Sequence, residues 1–498
     1  MNQLTAGRQK AVPSASSRWI ALSILFLTLA MSMIDLSVAN LTLPSIRTGL
    51  SASDATLSWV VAGYTLAYAL ALVPGGRLGD RYGRKKMFLI GTTMHLCTGV
   101  AGAMASDDVH LVIFRLLHGV SGGLMIPPIA AFIQVMFEGR DRARAFGFYG
   151  SVVAIGAIIG PVIGGWILEA VGPQNGWRYA LSYGLTLGVP AVVLGLFFLP
   201  DTEKVIEGRF DYFGSLLMSL AVVGLFVPLI QMTKGVMPSW APASAIAALV
   251  MLVAFLFWER HLERTKAFPL LPLSLFREKT FTFGLLLAVL SVASFTGSIY
   301  IAFAVIWQSG RGEGALAAAF MMLPFSIASA VGPLASDWAV RAFKQWASPL
   351  SLILLFGGYL VTYLMVRENP HVAATALALP MTIAGLGCGL FFSLNMTSAL
   401  STVPAGIAGS AVGALVTVQR IGSAFGAAIV ILLISQPGPG GPDDFGAPTM
   451  LVTGTHSVLF CTAMAGAALI VSFIEVLMTR TKPEPRASVG FLPRSDRG

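Results

Sequence analysis

The residues whose chemistry needs explaining first are charges set where the chain tolerates few of them. Asp35 lies in Met31-Ser-Met-Ile-Asp35-Leu-Ser-Val-Ala-Asn40-Leu-Thr-Leu-Pro44, after an apolar run that starts at Trp19. Run and continuation make about 25 residues, enough for one tilted helix to cross a hydrocarbon core of roughly 30 Å. Asp35 is therefore expected inside the membrane. A carboxylate there costs at least about 3 kcal/mol on insertion scales, and it usually faces a protein interior or a watered cavity where ions or protons move. The plainer alternative is a structural carboxylate paired with an arginine. Arg115-Leu-Leu-His118-Gly119 supplies such a partner. If that helix enters from outside near His110, Arg115 lies about 8 Å deep and Asp35 about 13 Å below Pro44 on the same side, at about 1.5 Å per residue. The two can meet. An arginine beside the acid keeps it ionised until a conformational change loosens the pair, which is how a proton site is tuned. His118 is a second titratable candidate, with a neutral hydrogen-bonding role as its structural alternative. Arg420, also mid-span, is the rival partner for Asp35.

These charges need a membrane scaffold, and composition supplies one. Apolar residues are 56% of the chain and charged ones 11%, against about a quarter charged in soluble domains. That excludes a soluble globule and implies an all-α, polytopic membrane protein. Apolar stretches of about 18 residues or more fall at 19–44, 55–76, 87–106, 110–137, 145–170, 179–199, 212–232, 242–258, 281–307, 314–339, 347–366, 372–396, 405–434 and 456–478, which predicts fourteen spans. With both termini in the cytoplasm, cytoplasmic segments hold 25 of the 32 Lys and Arg residues, the outer loops hold five, and Arg115 and Arg420 lie within spans. Cytoplasmic loops carry that excess. The net charge of +9 thus reports orientation and calls for no nucleic acid. Cys97, Cys388 and Cys461 fall inside spans without paired spacing, suggesting neither disulfides nor a metal site. The first span is too long for a signal-peptide core, so no cleaved leader is expected.

Charged segments at 201–211 and 259–279 divide the spans into six, two and six. The expected domains are a cytoplasmic tail (1–18), a six-helix bundle (19–200), linkers with inserted spans 7 and 8 (201–280), a second six-helix bundle (281–478) and a cytoplasmic C-terminal tail (479–498). An internal echo supports two halves: Gly76-Arg-Leu-Gly-Asp80-Arg81-Tyr-Gly83-Arg84-Lys85-Lys86 follows span 2, and Gly332-Pro-Leu-Ala-Ser-Asp337 closes span 10. Repeated halves with a site between them are the build of alternating-access transporters. In the first echo the glycines allow a tight turn, Asp80 can pair with Arg84 or cap a neighbouring helix, and the basic residues pin the loop to the cytoplasm. It reads as a conformational latch, with an ordinary basic loop as the alternative. Span 5 carries Gly156-Ala-Ile-Ile-Gly160-Pro161-Val-Ile-Gly164-Gly165, small residues on one face that let another helix backbone approach. Pro161 removes a helical hydrogen bond and bends the span.

Taken together these stretches resemble the major facilitator superfamily, and within it the fourteen-span drug:proton antiporters. Asp35 to Pro44 is similar to the family's first-span motif, Gly76 to Lys86 to its loop motif, Arg115 to Gly119 to its fourth-span motif, and Gly156 to Gly165 to its antiporter motif. Trp59, Tyr64, Trp177-Arg178 and Gln419-Arg420-Ile-Gly422 match further family patterns. There are departures. His118 stands where the family commonly has glutamine, Ser37 and Ala39 are less usual, and spans 9 and 10 lack an acid at cavity depth, which argues against divalent cationic substrates. The resemblance implies proton-driven export of amphipathic small molecules from an inward-open cavity, in the cytoplasmic (inner) membrane. Candidate cavity residues are Trp59, Tyr64, Phe295, Tyr300, Phe325, Phe392, Asn395, Gln419 and Arg420, aromatic, amide and basic groups on spans expected to face the centre. Partners would be a small-molecule substrate, protons and the lipid bilayer; a periplasmic accessory protein is left open. No nucleotide loop, metal cluster or nucleophile constellation appears, so neither an enzyme nor a cofactor is expected. The alternatives are an importer, a dedicated transporter of one metabolite, lipid or siderophore, or a non-transporting receptor or assembly subunit.

Overall fold

In a bilayer the backbone has no water to bond with, so each crossing segment satisfies its own polar groups by coiling into a helix. The computed structural model describes residues 15–172, 174–201, 210–232, 238–265, 269–295, 298–313, 315–436 and 446–479, and no β-strand occurs among them. Most of both tails, the interior of the 201–211 linker and nearly all of the 437–446 loop lie outside the described residues. A first group comprises α1 (Ala15–Leu50), α2 (Asp54–Tyr82), α3 (Arg84–Ala103), α4 (Asp108–Met136), α5 (Gly139–Val171), α6 (Gly176–Ser182) and α7 (Leu185–Phe198). A pair follows, α8 (Tyr212–Met232) and α9 (Ala241–Arg264). The second group comprises α10 (Lys279–Phe295), α11 (Ser298–Ala304), α12 (Ala315–Val331), α13 (Ser336–Phe343), α14 (Ala347–Glu368), α15 (Ala374–Ala399), α16 (Ala408–Ile434) and α17 (Ala447–Thr479).

Twelve helical runs among the described residues are long and apolar enough to cross a membrane, two fewer than expected. The physical reasons are local. The helix α3 opens with Arg84-Lys85-Lys86 and carries Thr92, Thr93, His95 and Thr98, so it is the least apolar of the expected spans. Expected spans 10 and 11 form one continuous 49-residue run, Phe320–Glu368. Within it, 3-10 turns at Gly332–Ala335 and Lys344–Trp346 separate α12, α13 and α14.

The two groups meet by an exchange of equivalent helices. The second helix of the first group, α2, packs on α16, while α5 packs on α12 and α15. That reciprocity is what a two-fold repeat produces. One core cluster, including Phe132, Tyr149, Met396 and Leu415, runs across both groups. Another, around Phe303, Trp307, Phe325 and Tyr359, belongs to the second group alone. Val222 and Phe226 of α8 pack against Leu66 and Ala69 of α2, with Ile421 and Ala424 of α16 at the edge, so α8 covers the seam, and Phe255 of α9 joins the core cluster that runs across both groups.

Candidate functional site

The first site is built where α1, α3 and α4 converge. Asp35 is 2% exposed, and its Oδ2 lies 3.4 Å from Arg115 Nη1 and 3.3 Å from His118 Nε2. Arg115 also donates through Nε to the Val60 carbonyl at 3.1 Å and sits 4.6 Å over the Tyr64 ring. The contact spans helices 80 residues apart in sequence. Close helix approach makes it attainable: a Cβ on Gly119 would lie 2.3 Å from the Tyr64 carbonyl oxygen, and one on Gly123 2.4 Å from the Ala71 Cβ. The sequence pattern missed a third member. His95 of α3 stacks on His118 with ring centroids 3.6 Å apart, and its Nδ1 lies 2.9 Å from Ser121 Oγ. Its signal was a lone histidine among Thr92, Thr93 and Thr98 in an otherwise apolar span. Ligand atoms of Asp35, His95 and His118 all lie within 4.8 Å of one another. The two rings are only 23° from parallel, so their in-plane lone pairs do not converge on one point about 2 Å from both nitrogens, as a bound metal would require.

Arg420, the rival partner, does not touch Asp35. It lies 4.9 Å over Tyr68, which is stacked with Tyr64, so Arg115, Tyr64, Tyr68 and Arg420 form a ladder of alternating cations and rings from α4 through α2 to α16. A small cavity opens beside it, lined by Ser32, Met33, Leu36, Tyr64, Thr65, Tyr68 and Arg420. Tyr64 and Arg420 are the expected cavity residues that share it. The others are dispersed. Phe325 and Phe295 pack in the second group's core, Asn395 is buried and donates to the Gly284 carbonyl, and Gln419 lies beside Met396. Phe392 stacks on Tyr149 across the seam, Tyr300 bonds Ser326 Oγ, and Trp59 is 42% exposed. Phe295, Phe325 and Asn395 make helix contacts here, away from this cavity.

The second site is a set of polar contacts at the end of the bundle where α2 meets α3. Asp80 is 1% exposed; Arg84 donates to its Oδ1 at 3.3 Å, and the Gly409 and Ser410 backbone N–H groups at the head of α16 donate to its two oxygens at 3.1 and 3.0 Å. Both arrangements anticipated for Asp80 therefore occur together. Arg84 reaches the Ala405 carbonyl, and Gln134 the Leu400 carbonyl. The echo residue Asp337 does the reciprocal work, binding Arg140 at 2.9 Å and Arg144 at 3.6 Å at the head of α5, with Arg341 at 3.2 Å from its own helix. At the opposite end the arginines tie loops within one group: Arg178 to the Ala103 and Ala105 carbonyls, Arg311 to those of Pro370 and Val372.

The loop glycines divide their labour differently from expectation. The turn is made by Gly83 at φ 99°, whereas Gly76 is helical, since α2 runs on to Tyr82. A Cβ on Gly76 would stand 2.0 Å from the Gly409 carbonyl oxygen, so this glycine exists for the α2–α16 approach. Arg81 lies over Tyr82 rather than in the lock. On α5, a Cβ at Gly156 would meet Met33 at 2.7 Å and one at Gly160 would meet Ser37 at 2.6 Å, while Gly164 faces Val38. The helix admitted by this small-residue face is α1, the bearer of Asp35. Gly165 meets nothing within 4 Å, and Pro161 lies on the exposed side.

An all-helical bundle of two groups related by helix exchange, with buried charges inside and polar locks at one end, defines a multi-pass membrane transporter. The sequence profile of the Major Facilitator Superfamily matches residues 25–427, and the chain belongs to that superfamily. It is 32% identical over 426 residues to the "Probable actinorhodin transporter" of Streptomyces coelicolor, covering 85% of this chain and 74% of that one. It is 28% identical over 432 residues to the "Tetracenomycin C resistance and export protein" of Streptomyces glaucescens, covering 85% and 78%. The solved structure of a proton:xylose symporter, XylE, bound to 6-bromo-6-deoxy-D-glucose superposes with a TM-score of 0.65 over 93% of this chain and 97% of that one, at 14% identity, a likeness of fold.

Proposed function

We propose that this chain is a proton-coupled antiporter that exports amphipathic small molecules across the cytoplasmic membrane by alternating access. The observation that carries the reading is the position of Asp35, a carboxylate buried at mid-helix against Arg115 and His118 and joined by a cation and ring ladder to α16 of the other group. Gain or loss of a proton at Asp35 changes the charge that Arg115 faces. The ladder passes that change to the seam, where two arrangements of the groups can be weighted differently. Each proton moving down the potential contributes about 2.3 kcal/mol per 100 mV.

In this reading α3 crosses the membrane and α12 and α14 cross separately, giving fourteen crossings with α8 and α9 as the inserted pair. The lysine and arginine distribution supports a cytoplasmic position for the lock end and both termini. The Asp80 and Asp337 locks then close the cytoplasmic side, and substrate enters when they part. It leaves on the outer side as Asp35 takes up a proton. The names of the two Streptomyces relatives support transport and export of small organic compounds. Because each name specifies one compound, they also favour a second reading, a dedicated exporter of a single metabolite.

Everted membrane vesicles presented with a panel of fluorescent dyes in the medium test the proposal. Proton-driven uptake of several dyes, abolished by Asp35→Asn, is the expected result. Uptake of no dye but of one added metabolite selects the second reading, and flux in Asp35→Asn equal to wild type removes proton coupling through this carboxylate.

A further inference from the structure

We propose that the coupling proton is held by Asp35 and His118 jointly, that His95 is a third station which passes it on, and that this relay opens on the α3, α6 and α7 side of Asp35, away from the Tyr64 and Arg420 cavity. The inference rests on the proton-coupled reading above.

The tautomers are assigned from the hydroxyl contacts. Thr98 Oγ1 donates to the Met94 carbonyl at 2.8 Å and lies 2.9 Å from His118 Nδ1. Ser121 Oγ donates to the His118 carbonyl and lies 2.9 Å from His95 Nδ1. A hydroxyl has one proton to give and a carbonyl can only accept; in the proposal each hydroxyl spends its proton on the backbone and accepts from the imidazole. Both histidines therefore carry hydrogen on Nδ1, and in the neutral ring Nε2 is a bare lone pair. The arrangement is reciprocal: each ring is fixed by a hydroxyl three residues along from the other, on the opposite helix.

The consequence falls on Asp35. A bare His118 Nε2 stands 3.3 Å from Asp35 Oδ2; two lone pairs at that distance repel, and one proton on either atom makes the contact attractive. The proton is thus a property of the pair. Glutamine at position 118 would present a fixed donor and could not share it. His95 is stacked on His118 with one ring nitrogen within 4.8 Å of the ligand atoms of the other two, a separation that one water in the adjoining cavity bridges, and in the proposal it takes a proton at Nε2 and yields it to the Asp35–His118 pair. One N–H bond breaks and one O–H or N–H bond forms, and His95 returns to its Nδ1–H form.

The groups facing this unit are Asp35 from α1, Tyr64 from α2, Arg115 from α4 and Tyr183 from the α6–α7 joint. Tyr183 donates its hydroxyl to the Met31 carbonyl and so does not bid for the shared proton. Tyr64 and Arg115 stand on the other flank. A small cavity is lined by Asp35, His95 and His118 together with Gly99, Ser182 and Gly184, at the short turn between α6 and α7.

Two measurements test the relay on the purified full-length protein. In histidine-selective 15N solid-state NMR of the six histidines, two should show protonated Nδ1 and bare Nε2 at alkaline pH, with those signals lost in His95→Gln and His118→Gln. Protonated Nε2 in both would overturn the proposal without any variant having to fold. In proteoliposomes, ethidium exchange driven by a pH gradient should, in His118→Gln, need a proton concentration about tenfold different for half-maximal rate, one pKa unit. His95→Gln should slow the exchange about tenfold or more while ethidium binding persists. If both variants keep the wild-type rate and pH profile while Asp35→Asn is inactive, the relay is wrong and Asp35 acts alone. If Asp35→Asn itself keeps gradient-driven flux, it is the proton-coupled reading that fails.

Discussion

Replacing Asp80 by asparagine should weaken one lock without disturbing either group internally. The native carboxylate accepts the Gly409 and Ser410 N–H groups on separate oxygens and Arg84 besides. Asparagine keeps one acceptor oxygen and turns an NH2 toward the other backbone donor, so one helix-head N–H loses its partner while the surface is closed. A charge-assisted hydrogen bond contributes about 1.5–3 kcal/mol, and a buried donor left unmade costs about 1–3 kcal/mol. Removing a buried charge offsets part of that loss. The net is roughly 1–2 kcal/mol against the locked state, a shift of about five- to thirtyfold in its population. The assay is double electron–electron resonance between spin labels on exposed Phe148 of α5 and Trp338 of α13, both near the lock end. The asparagine variant should populate a longer distance at the locked state's expense, and its melting temperature in detergent should stay near wild type because the packing inside each group is untouched. A locked fraction within twofold of wild type would refute the reasoning and leave Asp337 and Gln134 as the contacts that hold this end shut.

Further outcomes follow from other contacts. Gly76→Ala should stop transport in folded protein, since its methyl would stand 2.0 Å from the Gly409 carbonyl oxygen with rigid backbone on both sides; normal flux would show that the seam can spread. Gly160→Leu should likewise displace α1 from α5 and lower both transport and thermal stability, measured by dye flux and melting temperature. Asn395→Ala should cost about 1 kcal/mol of stability through the lost bond to Gly284 and leave the range of transported dyes unchanged; a narrowed range would return Asn395 to the substrate path. Arg115→Ala strips a buried carboxylate of its guanidinium and should destabilise by about 3–5 kcal/mol, while Arg420→Ala, whose side chain touches Tyr68 instead, should leave that site intact. Equal losses of melting temperature in the two would contradict this.

The sequence by itself determined the class of the protein and the neighbourhood of its charges. Fifty-six per cent apolar composition and runs long enough to span a bilayer leave helices as the available solution. Counting 1.5 Å per residue from Pro44 and His110 put Asp35 and Arg115 at similar depth, and the structure has them 3.4 Å apart. Depth is a coordinate along one helix and can be read from order alone. Azimuth cannot. Which side of a uniformly apolar helix turns to a cavity, to lipid or to a neighbour depends on what packs there, and helices such as α7, α8 and α15 have almost no polar stripe to reveal it. For this reason the sequence offers Phe325 and Asn395 as cavity candidates without showing that they pack among helices here, and gives no sign that His95 meets His118 across α3 and α4. Likewise Gly76 looked like a turn residue because its sequence neighbours are loop-like. Only contact with Gly409, more than 300 positions away, shows that it must be small so that two backbones can touch.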